Sequence, residues 1–234
     1  MAAFEARLPD RRPLTIVDVG SGTGRFTPAL AATFGGPVYG VEPSAKMRAV
    51  AEAAADAAHD RVTYLAGQAE QIPLPDGSCD AGLVFFVWHH VGDRSRAARE
   101  LARVIRPGGR LLVRTAFSDR MPELWWYRYL PRAREVDRAA YQPFAVVVDT
   151  FATAGWQLVE HTQVEPEKGR TRQADFERLQ LKALSTFEHL DDEEVEAGFA
   201  AIRAALAEDR GTDRPVKGAD DMLADLLVFQ NGDL

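Results

Sequence analysis

Short apolar runs alternate with amphipathic stretches through the first half of the chain. Apolar runs bounded by glycine or turn residues are typical of buried strands, and helical spacing of apolar residues is typical of helices that cover a sheet. The predicted strands are "LTIVDVG", "PVYGVEP", "VTYLAG", "CDAGLVFFVW" and "RLLVRTAF", and the helices between them are "RFTPALAATFG", "SAKMRAVAEAAADAAH" and "RSRAARELARVIRPGG". This order predicts βαβ units, and therefore a parallel sheet with helices on both faces.

The second half of the chain is less regular. It continues the pattern with a helix, "PFAVVVDTFATAG", and two strands, "WQLVEHTQVE" and "MLADLLVFQ". Two irregular, charged segments interrupt it, and they are interpreted as insertions that cover the carboxyl edge of the sheet, where ligands of such sheets bind. The expected organisation is a core at 1–118, an insertion or substrate lid at 119–142, core again at 143–168, a helical insertion or lid at 169–213, and a final core strand at 214–234.

Composition excludes several classes of protein. The chain has 234 residues, of which 46% are hydrophobic, enough for one large α/β domain. No apolar run approaches the roughly 18 residues that a membrane span needs. The single cysteine, Cys79, excludes a disulfide framework and favours a reducing cytoplasm. The net charge of −7, without a basic stripe, argues against a nucleic-acid partner. We expect a cytoplasmic monomer or homodimer, without membrane association, that acts on a small molecule.

The most informative segment is the glycine turn "DVGSGTGRF", which runs from a strand into a helix. Glycines let the backbone turn sharply and let a ligand approach it. Glu42 ends the next strand, where a carboxylate can accept hydrogen bonds from ribose hydroxyls. The glycine turn and Glu42 together predict a nucleoside-containing cofactor. The turn lacks the Gly-Lys-Ser/Thr of a Walker loop, and Arg25 stands where the dinucleotide fingerprint has its third glycine, so the turn matches neither of these two motifs.

Four motifs in register resemble the class I S-adenosylmethionine-dependent methyltransferases. They are "VDVGSGTGRF", "GVEPSAKM", "GQAEQIPLPDGSCDAGLVF" and "ELARVIRPGGRLLV", and they cover about Thr15 to Phe117. The resemblance implies an α/β, Rossmann-like, seven-stranded and mainly parallel sheet with helices on both faces, an antiparallel last strand, and helical insertions after strands five and six. It also implies S-adenosylmethionine as cofactor, with S-adenosylhomocysteine as product.

The resemblance assigns cofactor-binding positions to this chain. Glu42 would hold the ribose, while Gln68 and Ala69 would meet the adenine; the family often has Asp at the position of Gln68. The full set is Asp18, Gly20, Ser21, Gly22, Gly24, Glu42, Pro43, Met47, Gln68, Ala69 and Phe85. Phe85 and Phe86 replace the polar residue that relatives often carry near the end of strand four, so the chamber for methyl transfer is expected to be apolar.

His89 and His90 follow strand four, at the edge where substrate should arrive. Histidine handles protons near neutral pH, and relatives often have histidines here. His89 is the favoured general base or acceptor-orienting group, with His90 as the second choice. The alternative is that both rings only pack at the strand end. A shared metal is not expected, because neighbours on an extended chain point to opposite faces and no cysteine is near.

An aromatic cluster in the first insertion supplies candidate substrate contacts. Together with Phe86, these are Trp125, Trp126 and Tyr129. Aromatic side chains line apolar pockets for small molecules. The alternative is that they form the core of the insertion itself.

The favoured function is methyl transfer to a small, aromatic or apolar metabolite, by alignment of donor and acceptor with a possible histidine base. One alternative is a protein that binds S-adenosylmethionine or S-adenosylhomocysteine without catalysis, as a partner or regulator. The other is an NAD(P)-dependent oxidoreductase, against which Arg25 argues.

Overall fold

A computed structural model of the protein describes residues 2–54, 59–164, 171–182, 184–208 and 224–232. The strands are β1 (Leu14–Val19), β2 (Gly35–Glu42), β3 (Val62–Ala66), β4 (Cys79–Phe85), β5 (Ile105–Thr115), β6 (Trp156–Val164) and β7 (Ala224–Asn231). The helices are α1 (Ala2–Glu5), α2 (Thr27–Phe34), α3 (Ala45–Ala53), α4 (Arg94–Val104), α5 (Pro131–Ala140), α6 (Phe144–Thr153), α7 (Arg172–Gln180) and α8 (Asp192–Glu208). None of the helices in these ranges is both long and apolar enough to cross a membrane.

The seven strands form one sheet in the order β3-β2-β1-β4-β5-β7-β6. The pairs β1–β2, β1–β4, β2–β3 and β4–β5 are parallel, and β7 runs antiparallel to β5. The predicted α/β fold, including its antiparallel last strand, is confirmed. Because the first five strands are parallel, the carboxyl ends of β1, β2 and β4 lie at one edge of the sheet. The glycine turn and the histidines lie there, next to each other.

Local sequence explains where the helices begin and end. Ser44 caps α3, because its side chain accepts a hydrogen bond from the N–H of Met47 at 3.3 Å. Asp93 caps α4 through the N–H of Arg96 at 2.9 Å. Helix α2 ends at Gly35, whose φ of 73° is left-handed. A side-chain cap or a left-handed glycine therefore sets each of these three boundaries.

Three predicted boundaries differ in the structure. Strand β4 ends at Phe85, whereas the apolar run predicted a strand to Trp88; Phe86 has a left-handed φ of 55°, which ends the extended backbone. A short 3-10 helix, Trp88–His90, follows. Strand β5 begins at Ile105, earlier than predicted, directly after α4. Helix α3 ends at Ala53. Residues 55–58, and the whole segment "RGTDRPVKGAD", whose composition predicts a loop, lie outside the described residues.

The chain divides into two compact units. The first comprises Met1–Thr115, Ala145–Thr162 and Asp225–Leu234 and contains most of the sheet. Its core is built from fully buried side chains such as Leu83 and Phe229. The second comprises Ala116–Phe144 and Gln163–Ala224. The expectation that its segments serve as a lid stays a prediction.

The second unit has a hydrophobic core of its own. Trp126 is 4% exposed and stacks on Phe187 with ring centroids 6.2 Å apart. Phe199 of α8 meets Phe187 edge-on at 5.7 Å. Helix α8 begins with three acidic residues, Asp192, Glu193 and Glu194, in a first turn where negative charge is favourable.

Candidate active site

Three glycines turn the chain from β1 into α2. Gly20, Gly22 and Gly24 have left-handed φ angles of 73°, 56° and 79°, a conformation that costs other residues free energy. The N–H of Gly20 donates to the carbonyl oxygen of Val41 at 2.8 Å, which ties the turn to β2. A Cβ added to Gly22 would meet no atom within 4 Å. The turn therefore presents bare backbone to open space.

Glu42 joins the end of β2 to this glycine turn. Its carboxylate accepts hydrogen bonds from the N–H of Gly22 at 3.1 Å and from the N–H of Ser44 at 2.9 Å. The side chain is buried, with 6% of its surface exposed. An ionised carboxylate has about four acceptor positions, so the two backbone contacts leave capacity for ligand hydroxyl groups. Ser21, between the glycines, has a buried hydroxyl without a hydrogen-bond partner among the described residues.

Asp18 lies beneath the turn and is buried. The hydroxyl of Thr27, the first residue of α2, donates to its carboxylate at 3.0 Å. Burial raises the pKa of Asp18 to about 6, and the bond from Thr27 opposes that rise. The side chain thus links the last residues of β1 to the start of α2. The family resemblance implies that Asp18 either orients the glycine turn or reaches the cofactor amine, and this contact supports the first of these roles.

The predicted adenine-side residues border a separate stretch of the same edge. Pro43 and Gln68 line a cleft of about 740 Å³, together with Ile72 of the following turn. Gln68 and Gln71 pair through their backbones, since the N–H of Gln71 donates to the carbonyl oxygen of Gln68 at 3.0 Å. Ala69 between them is 5% exposed. Met47 of α3 is 46% exposed.

The end of β4 carries the two phenylalanines. Phe85 packs against Phe4 at 4.9 Å and meets Phe26 edge-on at 5.5 Å, measured between ring centroids. The N–H of Phe86 donates to the carbonyl oxygen of Arg114 on β5 at 2.8 Å. The Arg114 guanidinium lies 5.1 Å from the Phe86 ring centroid. The apolar chamber expected from the two phenylalanines stays a prediction, and the sequence did not indicate that a cation lies beside Phe86.

His89 and His90 lie in the 3-10 helix, not on an extended strand. Their ring centroids are 3.9 Å apart, with an angle of 43° between the planes. The two rings therefore do not face opposite sides, as neighbours on an extended strand would. Among the described residues, no group of three or more His, Cys, Asp or Glu side chains is arranged to hold a metal ion.

The surroundings of His89 keep its ring neutral. Burial, followed by the charges of His90 and Arg94, lowers the pKa of His89 to about 4. The Arg94 guanidinium also donates to the backbone carbonyls of Trp88 and His89, each at 3.2 Å, and so fixes the 3-10 turn. At neutral pH the imidazole is a hydrogen-bonding group and a weak base.

The remaining predicted substrate residues belong to the second unit. Trp125 and Trp126 lie in a 3-10 helix, Trp125–Arg128, which Tyr129 follows. Trp126 is in the core of that unit, and Trp125 meets Tyr129 edge-on at 6.3 Å. Core packing, one of the two interpretations from the sequence, describes Trp126. Substrate contact by Trp125 and Tyr129 stays a prediction.

Comparison with known proteins finds relatives and a family model that match the part of the chain containing this site. Residues 17–113 match the model of a family described as a methyltransferase domain. An uncharacterized methyltransferase of Mycobacterium bovis is 37% identical over 147 residues, which are 63% of this chain and 57% of the relative. The ubiquinone/menaquinone biosynthesis C-methyltransferase UbiE of Methylobacterium nodulans is 36% identical over 168 residues, 66% of each chain.

A solved structure shares the fold over nearly the whole chain. It is a candidate methyltransferase from an antibiotic biosynthesis pathway of Anabaena variabilis, with a TM-score of 0.78 and 22% identity, covering 98% of this chain and 95% of that one. At this identity the likeness concerns the fold alone. The match to the Mycobacterium bovis relative spans 57% of that protein's length.

Proposed function

The chain belongs to the class I S-adenosylmethionine-dependent methyltransferase family, and we propose that it transfers a methyl group from S-adenosylmethionine to a small, aromatic or apolar metabolite. The observation that carries the proposal is the link between the glycine turn and the end of β2. There, the carboxylate of Glu42 accepts hydrogen bonds from the N–H groups of Gly22 and Ser44. The link keeps the carboxylate that we propose as ribose acceptor beside the bare backbone turn.

The residues at this edge fit the cofactor. Open space over Gly22 lets a ligand approach the backbone. The Glu42 carboxylate would hold the ribose hydroxyls, and Gln68, in the cleft with Pro43, would meet the adenine. The bound cofactor supplies a methyl group already activated on a sulfonium. The protein's own contribution is therefore to bind, align and exclude water.

Phe85 and Phe86 support an aromatic or apolar acceptor. Phe85 is 7% exposed and belongs to a cluster with Phe4 and Phe26, so it contributes apolar wall and excludes water from the end of β4. Phe86 adds a second ring at the same strand end. The chain's net negative charge favours a small molecule over nucleic acid as its partner.

The two histidines have different proposed roles. His89, with its lowered pKa, stays neutral and orients the acceptor by hydrogen bonding. His90 is exposed at the surface and in ring contact with His89. It accepts the proton when the acceptor has one to lose.

The test compares ligands and then looks for transfer. Melting temperature is followed with S-adenosylhomocysteine, S-adenosylmethionine, NADH and NADPH, since a ligand of the folded state raises it. Stabilisation by the first two supports the proposal, whereas stabilisation by NADPH alone would refute it. Methyl-labelled S-adenosylmethionine is then incubated with the protein and a metabolite extract. Binding without any labelled product identifies the non-catalytic alternative.

A further inference from the structure

Arg114 is a partly buried cation near the carboxyl end of β5. In the sheet it lies opposite Phe85 of β4 and Leu226 of β7. Its Nε is buried and has no hydrogen-bond partner in the described part of the chain. None of the ion pairs between described residues includes it. A cation withdrawn from water without a counter-charge is unfavourable, so this position favours an anion from outside the chain.

A second guanidinium, which has no ion pair among the described residues, is linked to Arg114 through two aromatic rings. Arg25 follows the glycine turn and lies over the Phe26 ring at 5.3 Å from its centroid. Phe26 in turn meets the edge of Phe85, the strand partner of Arg114. Burial, and then the charge of Arg25, lowers the pKa of the Arg114 guanidinium. The two cations therefore repel each other, and an anion shared between them would relieve this repulsion.

Both arginines are at the edge where the acceptor is expected. Arg114 lies over Phe86, and the next residue, Val87, packs directly against Gly20 of the glycine turn. Building on the proposed methyl transfer, we infer that the methyl acceptor carries an anionic group, a carboxylate or a phosphate, which Arg114 and Arg25 bind. Guanidinium groups suit both anions because their N–H donors match two oxygens at once.

The methyl acceptor would then be an aromatic or apolar acid. Phe85 and Phe86 would contact the apolar body, and the arginines would fix its charged end. Such a two-point attachment sets which atom of the acceptor faces the donor. The alternative is that these arginines bind the carboxylate of the cofactor itself. The experiment distinguishes this from binding of the acceptor.

The test uses protein loaded with S-adenosylhomocysteine and two related probes. Cinnamate and its neutral amide, cinnamamide, have nearly the same shape and differ in charge; phenyl phosphate tests the second anion. Isothermal titration should show both anions binding at least about 10-fold more tightly than the amide, because hydrogen bonds to charged groups are the stronger kind. Equal binding of acid and amide, or no binding of either anion, would overturn the inference.

Variants locate the preference. Arg114→Met and, separately, the exposed Arg25→Met should each reduce the preference for acid over amide. Arg110→Met, on the same strand and also without an ion pair among the described residues, should keep it. If Arg114→Met does not fold, Arg25→Met decides. A preference that survives both substitutions contradicts the inference.

The cofactor alternative has its own signature. 5′-Methylthioadenosine lacks the carboxylate of S-adenosylhomocysteine. If Arg114→Met weakens S-adenosylhomocysteine binding but not methylthioadenosine binding, the arginine serves the cofactor and the inference is wrong. Should the wild type prefer acids over amides yet bind no S-adenosylhomocysteine, the proposed methyl transfer fails while the anion site stands.

Discussion

Gly20 and Val87 are in such close contact that a Cβ on the glycine would overlap the isopropyl group of the valine. Gly20 directly follows β1 and begins the glycine turn. Val87 lies just after the end of β4. Their contact holds the glycine turn against the segment that leads to the two histidines. The contact therefore joins the turn that we propose to bind the cofactor to the segment that we propose to face the acceptor.

Gly20→Ala and Gly22→Ala should differ in stability. Both need a left-handed backbone, which costs about 1–2 kcal/mol for alanine, but only Gly20→Ala also overlaps a neighbour. Overpacking adds about 1–3 kcal/mol. Urea unfolding should show the larger loss for Gly20→Ala, partly relieved by adding Val87→Ala. Equal losses for the two glycine variants would contradict the contact.

Glu42→Gln should weaken binding of S-adenosylhomocysteine by at least about tenfold, because charge-assisted hydrogen bonds are each worth about 1.5–3 kcal/mol. The amide keeps one acceptor oxygen but turns an N–H toward a backbone donor. Titration calorimetry measures the affinity. Glu52→Gln, an exposed position on α3, is the matched control and should bind as the wild type does. An unchanged affinity in Glu42→Gln would remove the ribose assignment.

His89 should make the wild type less stable in acid. Its pKa is about 4 when folded, against an ordinary value of 6.5. The unfolded chain therefore binds more protons in this window, and stability falls as the pH drops from 6.5 towards 4. The loss is at most about 3 kcal/mol. Urea unfolding of wild type and His89→Gln at pH 7.5 and 4.5 should show that the variant lacks this part of the loss.

Asp18 should act with the opposite sign. Its pKa is about 6 when folded, against an ordinary 3.8, so the folded state binds more protons between these values. The contribution of Asp18 to stability is present below pH 3.8 and is lost as the pH rises through 6. Asp18→Asn, whose carbonyl can still accept from Thr27, should therefore gain up to about 3 kcal/mol relative to wild type over this range. A stability difference independent of pH would show that Asp18 keeps an ordinary pKa.

The sequence pattern predicted the sheet well because buried parallel strands are nearly continuous apolar runs. The same rule failed after Phe85, since an apolar run does not distinguish a strand from a buried turn with a left-handed residue. The predicted orientation of the two histidine rings was wrong for the same reason, because it assumed that the strand continues. The caps at Ser44 and Asp93 were predictable, because a side-chain cap depends on neighbours in the chain.

The cations at the site could not be predicted in the same way. Arg114 comes close to Phe86 only through the register of β4 against β5, and Arg25 joins it through the ring of Phe26. Which residues of β4 and β5 pair depends on how the helix between them returns the chain to the sheet, and the spacing of residues along the chain does not give this. An arginine inside an otherwise apolar strand, as in "RLLVRTAF", was the one available signal.

The position of β7 between β5 and β6 also sets an order of assembly during synthesis. The five parallel strands, from Leu14 to Thr115, can pair as soon as the ribosome has released them. Strand β6 is made next but finds its neighbour only when Ala224–Asn231 has followed. Pairing across so long a stretch of chain is slow. A nascent protein can therefore form the glycine turn and its contact with Glu42 before β6 and β7 join the sheet.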